Sequence, residues 1–124
     1  MVDFDEVGIM LDEIAAGLPQ EFYKELNGGI ILLPDVKRNK IDGSKDLYIM
    51  GEYHRGGGLG RYIAIYYGSF ERVHGHLERE ALKGQLAHTL KHEFTHHMES
   101  LAGERGLEKE DAQFLEDYLS RRSR

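Results

Sequence analysis

The stretch His92-Glu93-Phe94-Thr95-His96, followed directly by His97, holds the residue types best suited to chemistry. Two imidazoles four positions apart stand one above the other on a helix face, so one metal ion can join them. The glutamate between them can take a proton from a metal-bound water. The pattern points to metal-dependent hydrolysis, with His92 and His96 as ligands and Glu93 as general base. Two imidazoles and an open position suit a single zinc ion, although iron, nickel and cobalt accept the same ligand type.

Catalytic zinc usually takes three protein ligands, and three acidic residues compete for the third place. Glu99 follows His96 by three and shares its helix face, but its Cα lies about 7.5 Å along the axis from the midpoint of the two histidines. It is equally placed to orient a ligand histidine from behind. Glu108 and Asp111 lie past a turn at Gly103–Gly106, from which the chain could fold back toward the site. The spacing leaves all three open. The remaining histidines read as hydrogen-bonded or surface residues in preference to ligands. His97 falls at the edge of an apolar stripe, as a hydrogen-bonded, half-buried side chain would. His88 makes a ladder of three with His92 and His96 and could bind metal adventitiously, but reads better as an exposed helix residue, and His74 and His76, near a turn, read as surface residues. Tyr53, Tyr62, Tyr66 and Tyr67, with His54, belong to strands or loops; one of them could line the cleft and stabilise an oxyanion, though the tyrosines suit sheet packing better.

A shuffled chain of this composition would contain the pentad in roughly one case in twenty-five, so the elements around it matter. Leu77 to Leu101 contains no proline, and Leu82, Leu86, Leu90, Phe94, Met98 and Leu101 recur at helical spacing. His92 and His96 point to the side of the helix away from the centre of that stripe. The spacing therefore predicts a helix with one side in the core and the other on a cleft.

Upstream, Phe4 to Leu18 has helical periodicity, with Asp3 or Asp5 as cap and Gly17-Pro19 as its end. Glu21 to Leu26 adds a turn or two, and Ile30 to Leu33 reads as a buried strand ended by Pro34. Asp35 to Asp46 is polar and reads as a surface loop. Leu47 to Tyr53 and Tyr62 to Tyr67 read as a hairpin joined by the glycine-rich His54 to Arg61 segment. That segment lacks the G-x-x-x-x-G-K-[ST] pattern of a phosphate-binding loop. Ser69 is a candidate cap for a short helix before the motif helix. Glu108 to Ser120 reads as a last helix, with Ala112, Leu115 and Leu119 inward. The order implies one α+β domain over residues 1–124: a small, mostly antiparallel sheet packed against the motif helix, with an N-terminal and a C-terminal helix.

Composition narrows the function classes. The chain is 40% hydrophobic and 31% charged, with a net charge of −6 and no cysteine. The acidic balance argues against nucleic acid as a partner. The tail Arg121-Arg122-Ser123-Arg124 and the Lys37-Arg38-Asn39-Lys40 segment read as solvated. Thiolate ligands and disulfides are excluded. No apolar run approaches the roughly 20 residues that span a bilayer, and no signal-peptide pattern follows the acidic start. These point to a cytoplasmic protein with no membrane partner. The oligomeric state is not written in the sequence.

Thr89-Leu90-Lys91-His92-Glu93-Phe94-Thr95-His96-His97 carries an H-E-x-x-H-H core. With Leu18-Pro19-Gln20-Glu21-Phe22, the Ile30–Leu33 strand and Ile63-Ala64-Ile65-Tyr66-Tyr67, it resembles the small bacterial zincin-like metallopeptidases, the minimal zincins. The resemblance runs from about Phe4 to Leu119. It implies a zincin-like α+β fold, zinc on His92 and His96, and Glu93 as the catalytic glutamate of a peptidase, without naming which peptide or protein is the substrate. Members of that family often follow the second ligand with Phe-Gly-Leu and an acidic residue. Here Met98-Glu99-Ser100-Leu101-Ala102-Gly103 lengthens the helix and Gly106-Leu107-Glu108 comes later, so the family's acidic position corresponds to Glu108, Asp111 or Glu99. The alternative class is a non-catalytic metal-binding or peptide-binding module that keeps the pentad for structure.

Overall fold

The computed structural model of the chain describes residues 1–41 and 45–104, with the backbone alone for residues 40, 41, 45, 46 and 104. The first helix, α1, spans Phe4–Ala16. Asp3 caps it, its Oδ1 accepting from the Glu6 N–H at 2.8 Å, which satisfies one of the first-turn donors a helix cannot pair internally. Gly17 ends it. Val7, Met10 and Leu11 face the core, whereas Ile9 is 52% exposed. After Pro19 comes one 3₁₀ turn, Gln20–Tyr23, which buries Phe22 completely.

Five strands follow: β1 (Gly29–Leu33), β2 (Arg38–Ile41), β3 (Lys45–Tyr48), β4 (Gly51–His54) and β5 (Tyr62–Tyr66). Three of them make one sheet in the order β1-β5-β4. β1 runs parallel to β5, from Gly29↔Tyr62 to Leu33↔Tyr66, and β4 runs antiparallel to it, from Gly51↔Ile65 to His54↔Tyr62. This main sheet is therefore mixed, not mostly antiparallel as the sequence suggested. The reason is that β1's next strand pairs elsewhere. β2 and β3 form their own antiparallel hairpin, and the long excursion supplies the crossover that parallel neighbours need.

That hairpin also corrects the reading of Asp35 to Asp46 as a loop. Arg38, Asn39 and Lys40 show no apolar alternation, so the strand left no periodic trace. The run from Leu47 to Tyr53 is likewise not one strand: β3 ends at Tyr48 and β4 begins at Gly51. The glycine-rich link between β4 and β5 does join two strands, with Gly56 and Gly57 at φ +89° and +74°, where side chains with a Cβ are disfavoured.

Helix α2 spans Tyr67–His74 and α3 spans Arg79–Glu104. Ser69 does not cap α2, which begins at Tyr67. It is fully buried, its Oγ accepting from the Lys37 N–H (2.9 Å) and donating to the Lys37 carbonyl (3.1 Å), and so fastens the start of the hairpin to α2. The six predicted stripe residues of α3, Leu82 to Leu101, are all buried, and they meet Val7, Met10, Phe22, Ile63, Ile65 and Phe70 in one core. Glu6–Arg79 and Glu13–Lys83 ion pairs flank the α1–α3 contact. The predicted helix from Glu108 to Ser120 and the basic tail after it lie outside the described residues.

Replacing Ser69 by Ala leaves the Lys37 N–H and carbonyl without their partner. It should cost about 1–3 kcal/mol in urea unfolding, with faster hydrogen exchange concentrated at Lys37.

Candidate metal centre

The motif helix presents its chemistry along one border. The Nε2 atoms of His92 and His96 face each other at 3.2 Å, with their rings edge to face at 88°. Two nitrogens bound to one tetrahedral ion at about 2.0–2.1 Å stand roughly 3.3 Å apart. The pair is thus already spaced as the edge of such a tetrahedron, and both side chains are open to solvent. Thr95 between them is turned back on its own helix, its hydroxyl donating to the Lys91 carbonyl.

Glu93, one residue after His92, points to the interior side of that border and is only 6% exposed. Burial pushes its carboxyl above the ordinary range, aided by the negative charge of Glu52. His92, His96 and a hydrogen bond from the Tyr53 backbone N–H pull the other way. The result is a carboxylate of raised basicity beside two imidazoles.

β4 supplies the facing wall. It comes close because Gly51 has no side chain: a Cβ there would lie 3.0 Å from Thr89 Cγ2 of α3 and 3.1 Å from the Ala64 carbonyl. Between helix and strand lies a cleft of about 660 Å³, lined by His92, Glu93, His96, Glu99 and Ser100 on one side and Gly51 to Tyr53 and Arg55 on the other. A smaller hollow with Ile49, Met50 and His88 adjoins it on the other side of His92 and Glu93. β4 is an edge strand of the sheet. β5 is the central strand, paired on both sides, and Tyr67 already belongs to α2.

His97 is the fully buried member of the histidine run. Its Nε2 lies 2.8 Å from the Lys24 carbonyl and its Nδ1 2.8 Å from the Tyr53 hydroxyl. A carbonyl only accepts, so Nε2 carries the proton and Nδ1 accepts from Tyr53. Burial holds its pKa below the ordinary histidine value, as a neutral ring with both nitrogens satisfied requires. The sequence placed it as hydrogen-bonded and half-buried; the structure buries it altogether.

Glu99 meets His96 from the far side, its Oε1 3.4 Å from Nδ1, and it is 61% exposed. It therefore contacts the nitrogen that does not face His92, as an orienting partner would. Glu108 and Asp111 lie outside the described residues. Among the described residues, no group of three or more His, Cys, Asp or Glu side chains is arranged to hold a metal ion.

Sequence reasoning missed Ser100 and Glu52, and named Tyr53 only among five side chains of which one could line the cleft. Tyr53 holds His97 with its hydroxyl and Glu93 with its backbone. Ser100 accepts from both Arg55 and Arg61, at 3.2 and 2.9 Å, at the end of the cleft. Glu52, also lining the cleft, accepts from Lys37 Nζ and the Tyr66 hydroxyl and lies 3.3 Å from His54 Nε2. Burial pushes the Glu52 carboxyl up, but the Lys37 and Tyr66 hydrogen bonds outweigh this and hold it below the ordinary range. Only the two-residue alternation of β4 hinted that Glu52 and Tyr53 take opposite faces.

Fold and cleft together define a small α+β domain whose H-E-x-x-H helix lies against an edge strand. The structure resembles a solved conserved hypothetical protein from Thermus thermophilus with a TM-score of 0.71 and 30% identity, over 82% of this chain and 98% of that one. The chain belongs to the same family as that protein. No family model matches it, and no curated protein does. No helix among the described residues is long and apolar enough to cross a membrane.

His97→Phe fills the same space but strands the Tyr53 hydroxyl and the Lys24 carbonyl. It should lower stability by about 2–4 kcal/mol in denaturant unfolding. Glu52→Gln tests the ion pair by pH. A carboxyl whose folded pKa is depressed stabilises the fold above its unfolded value and loses that contribution as pH falls through the folded value. With Lys37 40% and Glu52 28% exposed, the wild type should exceed the variant by about 0.5–1 kcal/mol at pH 7, with the gap closing below about pH 4.

Proposed function

We propose that this protein is a zinc-dependent peptidase with a zincin-like fold, as the minimal-zincin resemblance of its motif implies. One observation carries the reading: His92 Nε2 and His96 Nε2 stand 3.2 Å apart at the mouth of a cleft, beside a buried glutamate of raised pKa. Zinc held by the two imidazoles would supply Lewis acidity, making water nucleophilic near neutral pH and polarising a scissile carbonyl.

The chain's own groups supply the rest. Glu93, poorly solvated and therefore proton-seeking, accepts the proton that water gives up and returns it to the departing amine. The Tyr53 N–H holds one face of that carboxylate in place. Glu99 at Nδ1 of His96 fixes the ring so that Nε2 stays turned inward. The free edge of β4 offers backbone groups along which an extended peptide can lie. Glu108 and Asp111 remain the candidates for a third ligand.

Metal analysis of the purified chain should find about one zinc per molecule, and a chelator should lower its melting temperature. Peptide hydrolysis, sought with a diverse peptide library, should fall by about 10²–10⁴-fold in Glu93→Gln while zinc is kept. Zinc binding with no hydrolysis by the wild type would favour the non-catalytic module. A metal-free protein after reconstitution with zinc would sink the peptidase and the metal-binding module alike.

A further inference from the structure

We infer that the free edge of β1, with the groove between it and α1, docks an extended peptide bearing an aliphatic side chain flanked by basic ones. The surface lies at the opposite edge of the sheet from β4, so the inference stands apart from the peptidase reading.

The groove, about 390 Å³, has Phe4, Gly8, Leu11 and Ala15 on the helix side and Ile30 and Leu32 on the strand side. α1 covers β1 incompletely, leaving both strand residues half-exposed although they pack on the core. Gly8 keeps the helix wall low: a Cβ there would meet only Leu32 Cδ2, at 3.9 Å. Among the described residues β1 pairs with β5 alone, so its outer row of backbone groups faces away from the sheet. An open strand edge beside an apolar trough is the arrangement for strand addition. Main-chain hydrogen bonds hold the incoming segment, and alternate side chains enter the trough. The volume is at the low end for ligand sites, about 300–1,000 Å³, and suits one large aliphatic side chain with its neighbours.

Charge identifies the flanking residues. α1 carries two acidic pairs seven residues apart. Glu6 and Glu13 are neutralised by Arg79 and Lys83 of α3. Asp5 and Asp12 line the groove, are exposed, and have no ionic partner among the described residues. Seven helical residues span about 10.5 Å; positions i and i+4 of a strand, on one face, span about 13 Å. A basic-x-aliphatic-x-basic segment therefore brings two cations to two carboxylates with its apolar side chain between them. A second copy of this chain, paired edge to edge through β1, would instead set Asp5 and Asp12 against their own equivalents, and like charges so placed repel.

The test is a titration of acetylated, amidated Lys-Thr-Leu-Thr-Lys into the ¹⁵N-labelled full chain, followed by amide shifts. Saturable shifts are expected in β1 and α1. They should weaken at least tenfold when the peptide lysines become glutamates, or in the Asp5→Asn, Asp12→Asn double variant. Gly8→Leu fills the groove with a residue of better helix propensity and should abolish binding without lowering the melting temperature. If that variant proves unstable, the double Asn variant decides. The inference is overturned by any of four results: no shifts at millimolar peptide, shifts centred on β4 and His92, binding unchanged in a folded Gly8→Leu chain, or a dimer of the peptide-free chain that Gly8→Leu dissociates.

Discussion

One buried imidazole ties the helix, the edge strand and the segment after the 3₁₀ turn together. His97 sits among apolar side chains with no exposure, yet both ring nitrogens are satisfied, one by Tyr53 of β4 and the other by the Lys24 carbonyl. A buried polar group left unpaired costs about 1–3 kcal/mol, so these two bonds admit few alternative placements of the strand against the helix. Through Tyr53 the same constraint reaches the cleft. Its hydroxyl is held by His97 while its backbone N–H meets the Glu93 carboxylate. The height of β4 along α3 is thus set at the residue that follows the second exposed histidine.

The cleft puts two carboxylates in opposite electrostatic situations. Glu93 is deep and pushed toward its protonated form by burial; Glu52, on the strand, is held ionised by Lys37 and the Tyr66 hydroxyl. Each environment uses the sheet differently. The face of β4 toward α3 presents Tyr53 and the bare backbone of Gly51, which permits the close approach. The other face carries Glu52 and His54, the latter stacked on Tyr62 at 4.7 Å. A poorly solvated carboxylate beside two imidazoles, with an ionised one nearby, is the kind of pKa separation that acid–base chemistry exploits.

The long helix was legible because its stripe is dense and strictly periodic: six large apolar residues at spacings of three and four can be buried together only on one helical face. Asp3 and Gly17 marked α1 for equally local reasons. The β2–β3 hairpin was not legible, since Arg38 to Lys40 are polar throughout and the strand is held by Ser69, a residue 32 positions from its partner Lys37. The parallel pairing of β1 with β5 was hidden as well. Nothing in Ile30 to Leu33 says which later strand it will join, and the nearer candidates pair elsewhere.

The sequence by itself determined that His92, Glu93 and His96 share a helix, that two imidazoles stack on one side of it, and that the stripe opposite them is core. These follow from 3.6 residues per turn, a rule that needs no distant contact. Only the tertiary structure decided what the motif faces. Tyr53 and His97 are 44 residues apart in the chain, and the burial of Glu93, the role of His97 as a latch and the choice of β4 over β5 as the open edge all come from how the sheet closes onto the helix. Such pairings depend on which surfaces are left to bury once each element has formed, and that competition is settled across the whole fold.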